Sequence, residues 1–169
     1  VTISGSNALS GALNVNAGTL NFNERSTNVI GSVTVTAGSL TFGALSTNML
    51  TGNLLIRGGT AGSSVIANGQ LHVSATNLTA TLGNAMGDRS VLVIATNLTM
   101  GKMYVGNVIG ASGAVIQNGG VVQVNPKNAG TDVLTIGNNG GYGYYRLNGG
   151  ALQTGQFGVA QGDEAGVAA

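Results

Sequence analysis

Five carboxylates, one histidine and four tyrosines hold most of the reactive chemistry available to this chain of 169 residues. Polysaccharide cleavage needs two carboxyl groups on either side of the scissile bond, or clustered carboxylates, often with calcium, and a residue to take or give a proton. The acids are Glu24, Asp88, Asp132, Asp163 and Glu164. Asp163 and Glu164 are chain neighbours, and neighbours on a strand point to opposite faces. Asp132 and Asp163 stand 31 residues apart, a spacing that would put two carboxyls on adjacent turns of a repeat. The plainer reading of all five is solvated loop charge. His72 is the sole histidine, so neither a multi-histidine metal site nor a serine triad can be assembled within one chain. It alternates with Leu71 and Val73, which places it on an outer face. Gly140-Gly141-Tyr142-Gly143-Tyr144 opens like a calcium-binding nonapeptide but lacks the aspartate. No catalytic residue, metal or cofactor is assigned, and the chain reads as a protein that is not an enzyme.

Binding chemistry gathers at Tyr142, Tyr144, Tyr145 and Arg146. Aligned on the preceding unit, Tyr145 and Leu147 match Val115 and Gln117 and are expected to face inward. Tyr144 and Arg146 then face outward. An outward tyrosine offers a flat face to a sugar ring. The same pair would also serve coil-to-coil packing or contact with a neighbouring fibre subunit. Thr34 and Thr36 form a Thr-x-Thr pattern like that of ice-binding solenoids, but positions 14 and 16 are Asn, so the array is not continued. Asn77-Leu78-Thr79 and Asn97-Leu98-Thr99 match the glycosylation acceptor pattern, which is frequent by chance in a chain rich in Asn and Thr.

The elements that must carry these residues are repeats. Gly11-Ala12-Leu13-Asn14-Val15-Asn16-Ala17-Gly18-Thr19-Leu20-Asn21-Phe22 returns 20 residues later as Gly31-Ser32-Val33-Thr34-Val35-Thr36-Ala37-Gly38-Ser39-Leu40-Thr41-Phe42. A weaker copy starts at Gly52. Ser26-Thr27-Asn28 returns as Ser46-Thr47-Asn48, and Ala75-Thr76-Asn77-Leu78-Thr79 as Ala95-Thr96-Asn97-Leu98-Thr99, each again at 20 residues. One inserted loop around Ala61 to Ser64 accounts for the gap between the two pairs. Further on, Asn118-Gly119-Gly120 and Asn148-Gly149-Gly150 are 30 residues apart, and Val105-Gly106-Asn107 is echoed by Ile136-Gly137-Asn138. A loop at Asn125 to Thr131, with the one proline, Pro126, supplies the extra length.

Within each unit the hydrophobic period is two: Leu13 and Val15 alternate with Asn14 and Asn16, and Leu20 and Phe22 with Thr19 and Asn21. That alternation marks half-buried strands joined by Gly and Asn turns. The expected fold is all-β: a right-handed parallel β-helix, with coils of about 20 residues over 1–102 and longer coils of about 30 with loops over 103–169, in one solenoid spanning 1–169. About eight coils would make a rod of ~35–40 Å. Asn28, Asn48, Asn77 and Asn97 are expected to stack as an amide ladder.

Composition agrees. Charged residues are 7%, against about 25% in ordinary domains, while 43% hydrophobic content is ample for a core. A net charge of +1 gives no footprint for nucleic acid or an anionic membrane. The longest apolar runs, such as Val91 to Ala95, are far too short to span a bilayer. There is no cysteine, and a repeat stack does not need a disulfide, since each repeat buries its neighbour's face. Val1 at the start and Gly166-Val167-Ala168-Ala169 at the end read as the limits of a piece of a longer or processed protein.

Ile3-Ser4-Gly5-Ser6-Asn7, Gly11 and Val15-Asn16-Ala17-Gly18-Thr19-Leu20 resemble the autotransporter-associated β-strand repeat of bacterial passenger domains. Val35-Thr36-Ala37-Gly38-Ser39-Leu40 fits that pattern less fully. The units ending in Asn118-Gly119-Gly120 and Asn148-Gly149-Gly150 resemble repeats of very large bacterial surface proteins. The resemblance covers about half of the chain and departs between Gly62 and Lys102, where the Ala-Gly pair is missing. It implies a right-handed β-helix, export from a Gram-negative type of cell and a role at the surface. The family has no catalytic residues in the repeat. The expectation is therefore a structural module of an extracellular or cell-surface fibre, secreted or displayed by a bacterium, whose partners are neighbouring repeats or copies of itself. An adhesin binding glycan or a host protein is the alternative, and a polysaccharide lyase or hydrolase follows well behind.

Overall fold

The structure, a computed structural model, describes residues 1–73, 78–124 and 134–161. Alternating apolar residues and glycine corners fold as their pattern demands, into three parallel sheets of seven strands each. The first sheet holds Thr2–Ile3, Thr19–Phe22, Gly38–Phe42, Ser63–Ala67, Arg89–Ile94, Ser112–Gln117 and Tyr142–Leu147. The second holds Ser6–Leu9, Thr27–Ile30, Thr47–Leu50, Gln70–Val73, Leu98–Met100, Val121–Val124 and Ala151–Thr154. The third holds Leu13–Val15, Val33–Val35, Leu54–Ile56, Thr79–Leu82, Lys102–Val105, Leu134–Asn138 and Phe157–Gln161. Successive strands visit the sheets in turn and every pairing is to the equivalent strand one coil away, so the fold is a parallel β-solenoid. The one helical element among the described residues is a 3₁₀ turn at Gly59–Ala61.

There are about six coils of about 23 residues, fewer than the expected eight. The 20-residue period holds where the copies are cleanest: Leu20 pairs with Leu40 and Phe22 with Phe42. Later coils carry extra residues at their corners. Phe42 sits beneath Ala67, Ala67 beneath Ile94, and Gln117 beneath Leu147. Because these coils are longer, the two Ala-Thr-Asn-Leu-Thr copies are not one coil apart. Thr79 opens a strand of the third sheet, and Leu98 opens a strand of the second.

The inward residues form files. Val15, Val35, Ile56, Leu82, Val105 and Ile136 stack on the third sheet, and Ile30, Leu50 and Val73 on the second. Phe22 and Phe42 stack face to face with centroids 5.5 Å apart and planes 11° from parallel. Offset or parallel ring pairs of this kind add ~0.5–1.5 kcal/mol beyond the area they bury.

Polar residues stack in the same manner. Asn7 donates through Nδ2 to Asn28 Oδ1 at 2.8 Å, and Asn28 donates to Asn48 Oδ1 at 2.7 Å. Asn48 passes the chain on to the Gln70 carbonyl at 3.0 Å. Ser26 and Ser46 accept a second bond from the same amides at 2.9 and 2.8 Å, and donate to the Asn23 and Gly43 carbonyls. Asn28 and Asn48 are fully buried, so each amide is satisfied inside the protein. Asn97 is not part of this ladder. The position above Asn48 is Leu71, followed by Leu98 and Val122, and Asn97 lies one residue before it, exposed, accepting the Val121 N–H on Oδ1 at 2.9 Å. Asn77 lies outside the described residues.

A second ladder joins Asn84, Asn107 and Asn138 at the corner between the third and first sheets, with bonds of 2.7 Å at both steps. Its sequence sign is an apolar residue, Gly and Asn; Leu82-Gly83-Asn84 is the copy below Val105-Gly106-Asn107. Asn118 and Asn148 form a third, exposed pair at 2.8 Å.

Two substitutions separate close approach from backbone strain. Gly38 has φ +87° and a methyl there would run into the backbone of Gly18 in the coil below. Gly62 has a similar φ of +82° but its nearest neighbour, the Arg89 carbonyl, would be 3.6 Å away. In urea titrations Gly62→Ala should lose ~1–3 kcal/mol, the strain of a backbone at φ 82° and ψ 156° that glycine alone adopts readily. Gly38→Ala should lose clearly more. In the same assay Asn28→Ala, which orphans the buried Asn48 Oδ1, should lose ~2 kcal/mol or more, and Asn97→Ala about 0.5 kcal/mol or less.

Candidate functional site

Outward residues of the first sheet line up across coils as the inward ones do. Arg89, Ser112 and Tyr142 share one file; Ser64, Val91, Ala114 and Tyr144 the next; Ile66, Val93, Ile116 and Arg146 a third. Each step between coils is ~4.8 Å, and side chains of one face repeat every ~6.6 Å along a strand. The first two files border a groove of about 630 Å³, floored by Ser64, Val91 and Ala114 and walled by Arg89, Tyr142 and Tyr144. It runs from Gly38 to Tyr142, along the solenoid axis and across five strands.

The strand Tyr142–Leu147 presents the aromatic end. Tyr142 is 56% exposed and Tyr144 36%, with the inward Gly143 between them. A side chain at Gly143 would collide with the Val105 carbonyl and the Gly137 amide, so glycine lets this strand settle onto the coil corner. Tyr145 faces inward above Val115, as its alignment requires, and its hydroxyl donates to Gln117 Oε1 at 2.6 Å. Gln117 in turn donates to the Ala151 carbonyl at 3.0 Å and the Gly120 carbonyl at 3.2 Å. This buried pair pins the strand that carries Tyr144 and Arg146. Leu147 stacks on the buried Gln117, on the inward side as expected, and is 50% exposed because among the described residues its strand is the last of its sheet. Arg146 is exposed at the end of the third file.

Arg89 follows a corner that Asp88 anchors. Asp88, expected as a solvated loop charge, is buried instead. Its Oδ2 accepts the Asn84 and Ala85 N–H groups at 3.0 and 2.9 Å and Arg57 Nε at 3.2 Å, while Oδ1 accepts the Gly59 N–H at 3.2 Å. A carboxylate that collects this many donors sews two corner loops together and aims the start of the strand Arg89–Ile94. The sequence sign was thin: an aspartate at the end of a Gly-containing corner, followed by Arg89 in alternation with Val91 and Val93. Arg89 has no sequence sign of its own, because a lone cation on an outward strand face looks like any solubilising charge.

The described carboxylates are Glu24 and Asp88, and the one ion pair among the described residues is Arg57 with Asp88. Neither Arg89 nor Arg146 meets a carboxylate there. Comparison with family models, with curated proteins and with solved structures returned no match. The site must therefore be read from its own chemistry.

Among the described residues no three His, Cys, Asp or Glu side chains gather to hold a metal ion. His72 is exposed on the outer face between buried Leu71 and Val73. Thr34 lies on the outer face between Asn14 and Leu55, so no Thr array forms there. Asp132, Asp163 and Glu164 lie outside the described residues. The groove itself offers aromatic faces, hydroxyls and guanidinium donors, which is the equipment of a binding surface.

Burial pushes the Tyr145 phenol up from its ordinary value. A tyrosine whose folded pKa is raised keeps its proton after the unfolded chain has lost it, so its stabilisation is complete below pH ~10 and is lost as pH rises beyond that. Stability measured in urea should fall between about pH 10 and 11.5, and Tyr145→Phe should flatten that fall. Tyrosinate absorbance, compared between the parent and Tyr145→Phe, should show Tyr145 ionising only as the protein unfolds.

Proposed function

We propose that the chain is a structural module: a stalk or filament segment of a secreted or cell-surface bacterial fibre, built to extend by adding coils. The observation that carries this reading is the register. Each of three sheets runs through seven strands with equivalent positions stacked, so the cross-section repeats along the axis. A fold whose coils each bond only to the coils on either side has no built-in length and gains stability with each repeat. The resemblance of the Val15–Leu20 and Val35–Leu40 segments to passenger-domain repeats supports a surface setting. Partners on this reading are neighbouring repeats of the same chain or copies of it.

Modularity can be tested within the chain. Residues 27–46 make one complete coil, since Thr27 pairs with Thr47. A tandem duplication of 27–46 should fold, keep its β circular dichroism, resist urea at least as well as the parent, and lengthen the particle by ~4.8 Å in solution scattering. Aggregation or loss of structure in the duplicated protein would overturn the reading. For the fibre itself, electron microscopy of the full-length protein should show rods, and a compact globule with a deep cleft would argue against it.

A further inference from the structure

We propose that the groove on the first sheet binds an acidic polysaccharide, laid along the solenoid axis with its rings against Tyr142 and Tyr144 and its carboxylates toward Arg89 and Arg146. This goes beyond a structural role, and it rests on a different set of residues.

The shape argues for a linear ligand. The groove crosses the strands from Gly38 to Tyr142, four inter-strand steps, or ~19 Å. A span of that kind takes several sugar rings in a row. Its floor is Ser64, Val91 and Ala114, with Gly62 beside them, so nothing large blocks a ring from lying down. Its volume falls within the range of ligand sites, ~300–1,000 Å³. A second solenoid laid flat on this face would meet the standing tyrosines at one end and a trough at the other, which favours a chain over a slab.

The side chains argue for the class. Tyr142 and Tyr144 sit ~6.6 Å apart on one strand, both outward and exposed, and amphipathic rings of this sort suit a surface that is apolar on its faces and hydroxylated at its rim. The strand that carries them is pinned by the Tyr145–Gln117 bond behind it, so its backbone needs little ordering on binding. Arg89 lies two coils from Tyr142 in the same file, ~10 Å away, and Arg146 lies two residues beyond Tyr144. With no carboxylate facing either guanidinium among the described residues, the face is positive, and planar guanidinium donors match carboxylates two at a time.

The test is titration calorimetry with a hexamer of galacturonic acid and with cellohexaose as a neutral counterpart, on the parent chain and on Tyr144→Ala, Arg89→Gln, the Arg89→Gln/Arg146→Gln pair, and Arg25→Gln as a distant control. Circular dichroism and urea midpoints show that each variant is folded. The acidic hexamer should bind, weaken as salt rises, and bind the folded Arg89→Gln and Tyr144→Ala variants about tenfold less tightly, with Arg25→Gln unchanged. No heat with the acidic hexamer at millimolar concentration would overturn the proposal. So would equal affinity for cellohexaose, or full binding by the folded double arginine variant. Sedimentation closes the remaining case: a dimer that Tyr144→Ala dissociates, without sugar binding, would give the face to a second copy and sink the glycan reading. None of these outcomes depends on whether the duplicated coil folds.

Discussion

Everything in this molecule follows from one repeated contact, the backbone hydrogen bonding of each coil to the coil beside it. Parallel strands bond at ~4.8 Å, and that spacing holds at every level of the stack. A chain that winds at constant pitch must bring equivalent atoms above one another, so whatever occupies a position has its counterpart as nearest neighbour. Inward positions become apolar files, and corners become places where two backbones touch. Gly150 above Gly120, and Gly38 above Gly18, are corners of this kind, where the lower coil fills the space a side chain would need. The glycine content is thus largely a demand of the pitch.

The same contact decides which polar residues can go inside. A neutral amide carries a donor and an acceptor on one plane, so it can take a bond from the coil below and give one to the coil above. Asn28 and Asn48 do this in the interior, and at a corner the sense is reversed, Asn138 giving to Asn107 and Asn107 to Asn84 in the coil below. A carboxylate stacked on a carboxylate has acceptors alone. Where the chain does bury one, at Asp88, it leaves the ladder scheme and collects donors from two loops and an arginine.

That logic also explains what could be read from the residues and what could not. The parallel solenoid, the inward Leu13 and Val15, the ladder partners Asn28 and Asn48, and the facing of Tyr144 and Tyr145 were legible because they fall in stretches where alternation or offset is regular. Legibility fails where coil length changes. Asn97 looks equivalent to Asn77 by offset, yet a 20-residue step is short of a whole coil in that part of the chain, and the two motifs open strands in different sheets. The Asn84, Asn107 and Asn138 ladder is hidden for the same reason, since its steps are 23 and 31 residues. Asp88 and Arg89 were opaque for another reason. What gives them meaning is a loop from the coil before, and nothing in their local sequence announces it.

The scarcity of charge belongs to the same account. Two like charges ~5 Å apart repel by about 0.8 kcal/mol in water and roughly 3 kcal/mol at the effective dielectric of a protein surface. In an ordinary domain such a pair can swing apart, but in a register-locked file it recurs at every coil. The cations on the described strands are spaced accordingly. Arg89 lies beneath Ser112, Lys102 above Thr79, and Arg146 above Ile116. Thr, Ser and Asn fill the outward files between them, polar enough for water and indifferent to what lies one coil away. Of these cations, Arg89 lines the groove and Arg146 stands two residues beyond Tyr144, in the next file. A cation set on a stacked face without a carboxylate opposite it leaves its donors turned to solvent, available to an anion that arrives from outside.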